Sequence, residues 1–365
     1  MNKHIILGGG IAGIALAIQL QKAGLSVKIF EKNPPTGKEG HAFILLPNGL
    51  NSLKKMGVLA EVMQAAHPIH NFRARTVSSD RHAHQAVPNS IGIRRKVLND
   101  ILTSQLLPDT IEYNKSFSHF SFSPTGEAEA AWFTDKTSVE GDVFIGADGI
   151  WSRTRSVVEP GYQLSPIRIR EIVSVVKSPG LVQQLSHTFC KINQDEGGLA
   201  VGMLPCDQEH LVWYIQFDSH HPALMELTLE EQKQYLFDQI GKWPDPVPEI
   251  FAQTDFTDSY VWHTTDLDTL DNFYYKNVVL VGDAAHVFLT LTSQGVSAAL
   301  EDAICLSDLL VQNRFLNRLE TTLKQYSFLR KSIVDKYLKS GRTLKTEFLS
   351  PVKKQSTAKI PLVMS

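Results

Sequence analysis

A carboxylate stands at the end of an apolar run in the segment NVVLVGDAAHVFLTLTSQGVSAALEDA, residues 277–303. The run Val278–Val281 predicts a buried strand, and Gly282 and Asp283 end it. A carboxylate in such a place costs free energy unless a polar group meets it. We therefore expect Asp283 to contact a polar ligand. A Thr-rich stretch follows, and helical spacing begins at about Ser293.

A glycine-rich turn near the N-terminus predicts a phosphate-binding loop. Gly8, Gly10 and Gly13 form GxGxxG between an apolar strand, Ile5–Leu7, and a run of helix formers, Ile14–Ala23. In this pattern one glycine makes a tight turn, one lets a pyrophosphate approach the backbone, and one lets the helix pack on the strand. The N-terminus of the helix then faces the phosphates. A glycine-rich packing turn is the alternative.

The second predicted strand ends on an acidic residue, Glu31. At this distance from a GxGxxG motif, an acidic side chain accepts hydrogen bonds from an adenosine ribose. A carboxylate there disfavours a 2′-phosphate, so the pattern predicts bound FAD or NAD rather than NADP.

A third strand, Val143–Ile145 in DVFIGADGIWSRTRS, also runs into a glycine-rich turn. Asp148, Arg153 and Arg155 follow it closely. An acid and two cations at the end of a strand suit a polar ligand beside a nucleotide site. A surface turn with a local ion pair, which contributes little to stability, is the alternative.

The elements that must position these residues alternate between α/β and β-rich blocks. Residues 71–93 and 167–218 are strand-like, 94–106 and 229–241 are helical, and 111–145 predict a β-meander. This interleaving predicts one discontinuous nucleotide-binding domain with a β-rich domain inserted into it. We expect the cofactor domain at 1–70, 94–165 and 266–315, the β-sheet substrate domain at 71–93 and 166–265, C-terminal helices at 316–350, and a tail at 351–365.

Composition excludes several classes of protein. The chain has 365 residues, 43% of them hydrophobic and 20% charged, with a net charge of −2, so nothing favours nucleic acid or an anionic membrane as a partner. Cys190, Cys206 and Cys305 are far apart and form no CxxC, which argues against a zinc site and favours a reducing compartment. The apolar run Ile5–Leu20 is broken by glycines and lacks the marks of a signal peptide or a membrane span. We therefore expect a cytoplasmic protein without stable membrane insertion.

Together, the three motifs resemble the single-component FAD-dependent aromatic hydroxylases, the para-hydroxybenzoate hydroxylase-like flavoprotein monooxygenases. The matching blocks are GxGxxG with Glu31, then GADGIWSRTR, then VVLVGDAAH…QGVSAALEDA. LLPNGLNSLKKMGV, Arg95 with Leu98, and the YSFLR stretch beginning at Tyr326 match further family segments. The resemblance covers about residues 3–335. It implies an α/β fold with a Rossmann-like FAD-binding domain, an inserted β-rich substrate domain and a C-terminal helical tail.

The resemblance also implies how FAD is held. Asp283 would bind the ribityl hydroxyls, and the helix entered through Gln294 and Gly295 would direct its N-terminus at the pyrimidine side of the isoalloxazine, stabilising an anionic reduced flavin. Asp148 and Arg155 would lie near the pyrophosphate and the approach of the nicotinamide. The expected cofactor-binding residues are Gly8, Gly10, Ile11, Ala12, Gly13, Glu31, Lys32, Arg95, Asp148, Arg155, Gly282, Asp283, Gln294, Gly295 and Val296.

One departure from the family pattern concerns the loop after His286. The family carries proline where this chain has Val287 and Thr290. Loss of the second proline removes a rigid wall and places a hydroxyl and an additional N–H near the flavin ring, which would change the polarity of the pocket.

The implied activity is hydroxylation of a small aromatic or conjugated substrate. NADH or NADPH would reduce FAD, O2 would add at flavin carbon C4a, and the resulting hydroperoxide would transfer one oxygen atom. The alternatives are another flavin oxidoreductase on the same scaffold (an oxidase, a reductase or a halogenase), a simple NAD dehydrogenase, or a non-catalytic flavin-binding protein. The WxWxIP element of flavin halogenases is absent. O2 is a further expected partner. The chain is expected to be a monomer or a homodimer.

The sequence gives few candidates for catalysis. His41 would pass the dimethylbenzene edge of the flavin, or lie in an exposed loop, and Thr290 would lie near the ring. His286 is expected to be structural, and Glu301 and Asp302 to lie on a solvated helix face. His82, His84, His220 and His221 lack partners at metal-ligand spacing, so we expect no metal. The residues expected to face the flavin from the central sheet, with plain core as the alternative for most of them, are Phe189, Val201, Met203, Tyr214 and Gln216.

Overall fold

A computed structural model describes residues 3–35, 41–313 and 318–352, except for the side chains at 80–82, 88 and 258. The strands are β1 Lys3–Leu7, β2 Ser26–Glu31, β3 Ala42–Leu45, β4 His67–Thr76, β5 Ser79–Arg94, β6 Ile111–Tyr113, β7 Phe117–Phe122, β8 Ala128–Phe133, β9 Ser138–Glu140, β10 Val143–Gly146, β11 Ile169–Lys177, β12 Thr188–Asn193, β13 Leu199–Pro205, β14 His210–Asp218, β15 Tyr260–Thr264, β16 Tyr274–Tyr275 and β17 Val278–Leu280. The α-helices are α1 Ile11–Lys22, α2 Pro47–Lys55, α3 Leu59–Ala65, α4 Arg95–Ser104, α5 Arg155–Val158, α6 Pro179–Leu185, α7 Leu229–Ile240, α8 Val247–Gln253, α9 Gly295–Asn313 and α10 Leu319–Phe348.

The first sheet has six strands in the order β16-β17-β10-β1-β2-β6. Strands β17, β10, β1, β2 and β6 run parallel, and β16 pairs antiparallel at the edge. Because parallel neighbours end at the same side of a sheet, the three strands that carry the motifs deliver their turns to one edge. Helices α1 and α9 pack together beside this sheet. The predicted Rossmann-like arrangement is confirmed.

The second sheet has eight strands in the order β15-β11-β14-β13-β12-β4-β5-β3. One face carries a core closed by α6, α7 and α8, in which Trp213, Leu236 and Ile250 are buried. The opposite face carries a separate cluster that includes Phe72, Val173 and Phe189. Strands β3 and β4 belong to this sheet although the predicted division gives residues 1–70 to the cofactor domain; the division itself stays a prediction.

The expected meander over 111–145 is only partly correct. Strands β7, β8 and β9 form an antiparallel three-stranded sheet. Strand β6, in contrast, pairs with β2, and β10 pairs with β1 and β17, so both ends of the segment belong to the parallel sheet. Short apolar runs have the same pattern in both kinds of sheet, and tertiary pairing decides between them.

The C-terminal helix α10 crosses from the first sheet to the second. Near its start, the Tyr326 hydroxyl donates to the carbonyl of Leu280 at 3.1 Å. At its end, the carbonyl of Phe348 accepts from the Gly198 amide at 2.7 Å, in the turn before β13. Most of the predicted tail, residues 353–365, lies outside the described residues. Among the described helices, none is both long and apolar enough to cross a bilayer.

Candidate FAD and substrate site

The GxGxxG turn joins β1 to α1 in the geometry that a phosphate-binding loop needs. Gly8 has φ of +120°, and a Cβ built on it would lie 2.2 Å from the Ala147 carbonyl oxygen. A Cβ on Gly13 would lie 2.1 Å from the carbonyl oxygen of Gly8, so the helix packs against the turn only because no side chain intervenes. A Cβ on Gly10 would meet nothing within 4 Å. The space outside Gly10, at the N-terminus of α1, therefore remains open to a phosphate.

Glu31 lies beside this turn at the end of β2. One carboxylate oxygen accepts a hydrogen bond from the Gly9 amide at 2.7 Å, and the other accepts from the Asn33 amide at 2.9 Å. Asn33 Nδ2 also donates to Oε1, at 2.7 Å, so the side chain fixes the loop and keeps a lone pair for a further donor on Oε2, the oxygen that accepts from Gly9. Lys32 follows on the exposed surface.

Asp148, at the end of β10, organises its own turn. Its carboxylate accepts from the Ser152 hydroxyl at 2.5 Å, from the Arg153 amide at 2.8 Å and from the Thr154 amide at 3.1 Å. The structure thus places Asp148 as the anchor of the segment that leads to α5. Any contact with the cofactor would be additional to this set.

Arg155 is fully buried, and its guanidinium holds the turn at Asp283 by hydrogen bonds to main-chain carbonyls. Its Nε donates to the Ala284 carbonyl at 2.8 Å, and a terminal nitrogen donates to the Asp283 carbonyl. Its guanidinium also lies 4.7 Å from the centre of the Tyr162 ring. Because these donors are directed at main-chain oxygens, Arg155 positions the turn that carries Asp283.

Asp283 follows β17 in a short 3-10 helix, Gly282–Ala284, and its side chain is half-buried. No described residue donates a hydrogen bond to its carboxylate. Burial raises its pKa, and the charge of Asp302 adds to this effect, whereas His286, Arg95 and Arg155 oppose it. A carboxylate that is desolvated and unpartnered lacks the donors that a ligand would supply.

The N-terminus of α9 lies next to that carboxylate. A Cβ on Gly295, the first residue of the helix, would lie 3.9 Å from Asp283 Oδ1. The amides of Gly295 and Val296 lie in the first helical turn, where they have no partner within the helix. Gln294, just before it, is buried, and its Oε1 accepts from Asn48 at 3.0 Å. Donors on the helix and an acceptor on Asp283 thus border the same space.

His41 and Arg95 lie at the paired ends of β3 and β5, and the charge of Arg95 acts on Asp283. The Arg95 amide donates to the His41 carbonyl at 2.7 Å. Burial, together with the charge of Arg95, lowers the pKa of His41 to about 4, so the imidazole is neutral at pH 7. Its ring lies 5.3 Å from that of Tyr260 and 6.3 Å from that of Trp262. His41 therefore belongs to an aromatic cluster, and the alternative of an exposed loop histidine is wrong.

The predicted substrate residues divide between the two faces of the second sheet. Phe189 and Tyr214 belong to the cluster on the face opposite α6–α8, and Gln216 shares that face because it follows Tyr214 by two residues in β14. Val201 and Met203 lie in the core under those helices. For Val201 and Met203 the alternative of plain core is therefore correct, and they do not face the substrate side of the sheet. Gly202, between them, faces the Tyr214 ring, and a Cβ there would lie 2.1 Å from Tyr214 Cζ.

A hydrogen-bonded chain of side chains, which sequence reasoning missed, crosses this face to the loop before α9. Lys191 Nζ donates to Gln216 Oε1 at 2.9 Å, Gln216 Nε2 donates to Glu171 Oε1 at 2.5 Å, and the Thr290 hydroxyl donates to the same oxygen at 2.6 Å. Glu171 is 6% exposed. Its place in IREIVSVVK, an apolar strand interrupted by a carboxylate, was the available indication.

A second buried network corrects the expectation for Asp302. The side chain is fully buried rather than solvated, and its carboxylate accepts from His286 Nε2 at 2.6 Å, Arg330 Nε at 2.6 Å and the Gly282 amide at 2.7 Å. His286 is structural, as predicted. The charged pair in α9 looked like an exposed face because Arg330, its partner in α10, is distant in the sequence.

No cluster of three or more histidine, cysteine or acidic side chains that could hold a metal occurs within the described part of the chain. His82, whose side chain lies outside the description, is not placed. Cys190, Cys206 and Cys305 are free thiols.

Comparisons with known proteins agree with this geometry. A sequence family described as an FAD-binding domain matches residues 2–340. The FAD-dependent urate hydroxylase of Klebsiella oxytoca is 26% identical over 325 residues, 86% of this chain and 82% of that protein. Salicylate hydroxylase of Pseudomonas putida is 26% identical over 339 residues, 84% of this chain and 76% of that protein.

Solved structures share the fold. The crystal structure of Klebsiella pneumoniae HpxO complexed with FAD and uric acid aligns with a TM-score of 0.82 at 20% identity, covering 93% of this chain and 87% of that one. The crystal structure of PqsL from Pseudomonas aeruginosa aligns with a TM-score of 0.81 at 22% identity, covering 96% and 98%. Both alignments include the parallel sheet and the second sheet because they span nearly the whole chain.

Proposed function

The chain belongs to the FAD-dependent aromatic hydroxylase-like monooxygenase family, and on that premise we propose that it uses NADH or NADPH and O2 to hydroxylate a small aromatic or conjugated substrate. When bound and reduced, FAD would supply the activation of O2 and the transfer of one oxygen atom. The protein would supply orientation, exclusion of water and fixed charges.

The unpartnered carboxylate of Asp283 carries the proposal. It lies in the same space as the N-terminus of α9, and Arg155 fixes the turn on which it stands. A chain of hydroxyl groups, such as the ribityl portion of FAD, would donate hydrogen bonds to it and relieve the cost of its burial. A nucleotide bound only at the GxGxxG turn would leave Asp283 unpaired.

The two ends of the cofactor would then lie on different parts of the chain. The open space outside Gly10 suits the pyrophosphate, and Glu31 suits the adenosine ribose. The partial positive charge at the N-terminus of α9 suits the pyrimidine edge of the isoalloxazine, where negative charge develops on reduction. Thr290 and the neutral His41 would lie near the ring without taking up charge themselves.

The substrate would bind between this site and the second sheet. Phe189, Tyr214 and Trp262 present aromatic rings on the face that also carries Glu171 and Gln216. Flat apolar walls with a few polar groups suit a planar conjugated molecule. The sequence holds no second GxGxxG motif, which favours a nicotinamide donor that binds transiently.

The test begins with the visible absorption spectrum of the purified protein, before and after addition of FAD. Oxidation of NADH and NADPH is then followed with a panel of phenols and heteroaromatics under 18O2, and products are analysed by mass spectrometry. We expect a two-band flavin spectrum, oxidation stimulated by a substrate, and one 18O atom in its product.

Two results would contradict the proposal at different levels. If the protein stays colourless after FAD is added, it does not bind FAD, and the proposed cofactor is wrong. A yellow protein whose stimulated oxidation yields only hydrogen peroxide, or a reduced product without 18O, would be an oxidase or a reductase on the same scaffold.

A further inference from the structure

We propose that Glu171 selects the substrate: its carboxylate accepts a hydrogen bond from a hydroxyl or ring N–H of a neutral aromatic molecule. The inference rests on the proposed function, since it concerns the molecule that binds opposite the flavin. It goes further because it assigns a chemical class to the substrate and a residue that recognises it.

The hydrogen bonding of Glu171 is incomplete in a specific way. Oε1 accepts from Gln216 Nε2 at 2.5 Å and from the Thr290 hydroxyl at 2.6 Å. Oε2 accepts from no described residue. The side chain is only 6% exposed, and Oε2 is not among the described atoms that are both enclosed and unpartnered, so this oxygen faces the remaining opening. A largely desolvated carboxylate with one oxygen that no side chain or amide contacts is less stable than a fully hydrogen-bonded one, and a ligand donor at that oxygen would lower its free energy.

The orientation of Gln216 is determined by its neighbours. Lys191 has only donors, so the amide oxygen of Gln216 must face Lys191 Nζ, 2.9 Å away. The amide nitrogen then faces Glu171, which must present an acceptor. Thr290 donates its hydroxyl hydrogen to the same Oε1. The network therefore holds Glu171 as an acceptor and leaves Oε2 as its free end.

Glu171 lies beside the proposed substrate space. Thr290 belongs to the loop that leads into α9, where Asp283 and Gly295 border the cofactor space. On the sheet, Glu171 lies opposite Trp262 of β15 and Gln216 of β14, and Tyr214 is on the same face. A ring placed between the loop and these aromatic side chains would bring its edge to Glu171.

The charge of the site argues for a neutral donor over an anion. Burial leaves the pKa of Glu171 raised, although the hydrogen bonds from Thr290 and Gln216 and the charge of Lys191 act in the opposite direction. Even so, Lys191 is separated from Glu171 by the Gln216 side chain and is not its direct partner. An anionic substrate would place a second negative charge beside Glu171, which costs free energy whenever that carboxyl group is ionised. A hydroxyl or an N–H would complete the network.

The test compares three naphthalenes that differ in one group: 2-naphthol, 2-methoxynaphthalene and 2-naphthoate. Binding to the FAD-loaded protein is followed by the change in flavin absorption and, independently, by titration calorimetry. We expect wild-type protein to bind 2-naphthol about tenfold or more tightly than the other two, because of the three groups only the hydroxyl can donate a hydrogen bond to Oε2.

Glu171→Gln keeps the size of the side chain and replaces the carboxylate with an amide. We expect its 2-naphthol affinity to fall about tenfold and its 2-naphthoate affinity to rise, with 2-methoxynaphthalene unchanged. Thr290→Val keeps the Glu171 carboxylate but removes one of the donors that hold it. It should weaken the binding of 2-naphthol by a smaller factor than Glu171→Gln does. Glu209→Gln, on the exposed turn before β14, is the matched control and should behave as wild type.

Equal affinities of wild-type protein for the three probes, or an unchanged preference in Glu171→Gln, would overturn the inference. Lack of 2-naphthol binding by wild-type protein would overturn it as well. If Glu171→Gln does not fold, the affinities of Thr290→Val decide the question. A preference for 2-naphthol as strong as that of wild type in Thr290→Val would then contradict the inference. Because FAD loading and 18O incorporation are measured separately, they distinguish this failure from failure of the proposed function.

Discussion

His286 Nε2 and Asp302 Oδ2 lie 2.6 Å apart, and both side chains are removed from solvent. Asp302 also accepts from Arg330 and from the Gly282 amide. The carboxylate therefore joins the turn that carries Asp283 to α9 and α10. The position of the turn depends on this network as well as on Arg155.

We expect Asp302→Asn to lower the free energy of unfolding by about 3 kcal/mol, because it removes the buried countercharge of Arg330 and leaves only the half-buried Glu301 carboxylate, 3.1 Å from the guanidinium. Urea unfolding at pH 7 measures the change. Asp308→Asn, an exposed position in the same helix, is the control and should shift the midpoint little. Equal midpoints for Asp302→Asn and wild type would contradict the structural role.

The same network predicts a pH dependence in acid. Burial by itself would raise the pKa of Asp302, but the charges of His286 and Arg330 and the hydrogen bonds from His286 and Gly282 outweigh it and lower the pKa. A carboxyl group of this kind stabilises the fold above its unfolded pKa, near 4, and loses that contribution as the pH falls through its folded pKa. The advantage of wild type over Asp302→Asn should therefore decrease below about pH 4.

Asp283→Ala should weaken FAD binding about tenfold or more, since hydrogen bonds to a charged acceptor are lost. The apoprotein should unfold at the same temperature or a slightly higher one, because the substitution removes a carboxylate whose pKa burial raises. Fluorescence titration of apoprotein with FAD and thermal unfolding measure the two effects. Asp271→Ala, in the exposed loop before β16, is the control. If Asp283→Ala binds FAD as tightly as wild type, Asp283 does not contact the cofactor.

Local patterns carried the prediction of the cofactor site. The strand, glycine turn and helix at residues 3–22 lie next to each other in the chain, so spacing alone predicts their geometry. The break of β17 at Asp283 is local in the same sense. The partners of Asp302 and Glu171, in contrast, come from elements far along the chain, and charge in a segment does not reveal them.

The faces of β13 were not predictable from the sequence for a related reason. All residues of Leu199–Pro205 are buried, so the strand shows no alternation of polar and apolar side chains. Nothing in the pattern therefore separates Val201 from Gln216, although the two side chains face opposite layers. Only the register with β12 and β14, which depends on the whole sheet, separates them.

Lys191 should give the protein a pH dependence in mild alkali. Burial lowers its pKa to about 8, although the charge of Glu171 opposes the shift. Between about pH 8 and pH 10 the unfolded chain then binds more protons at this site than the folded one, so stability at this site rises with pH, by at most about 1.4 kcal/mol per unit. Urea midpoints of wild type relative to Lys191→Met should increase over that range. Lys54→Met changes an exposed position in α2, and its urea midpoint should change with pH as that of wild type does. The same pH profile for Lys191→Met and wild type would contradict the prediction.

Gly202→Ala tests whether the Tyr214 ring forms a wall of the substrate space. The new Cβ would lie 2.1 Å from Tyr214 Cζ, so the ring must move off the strand. We expect a loss of about 1–3 kcal/mol in unfolding free energy, as for other overpacked positions, and weaker binding of 2-naphthol with unchanged affinity for FAD. Gly180→Ala, in α6, is the matched control because a Cβ there meets nothing within 4 Å, and a helix favours alanine over glycine. Weakened FAD binding in Gly202→Ala, with naphthol binding intact, would instead place Tyr214 against the cofactor and move the substrate space away from β13.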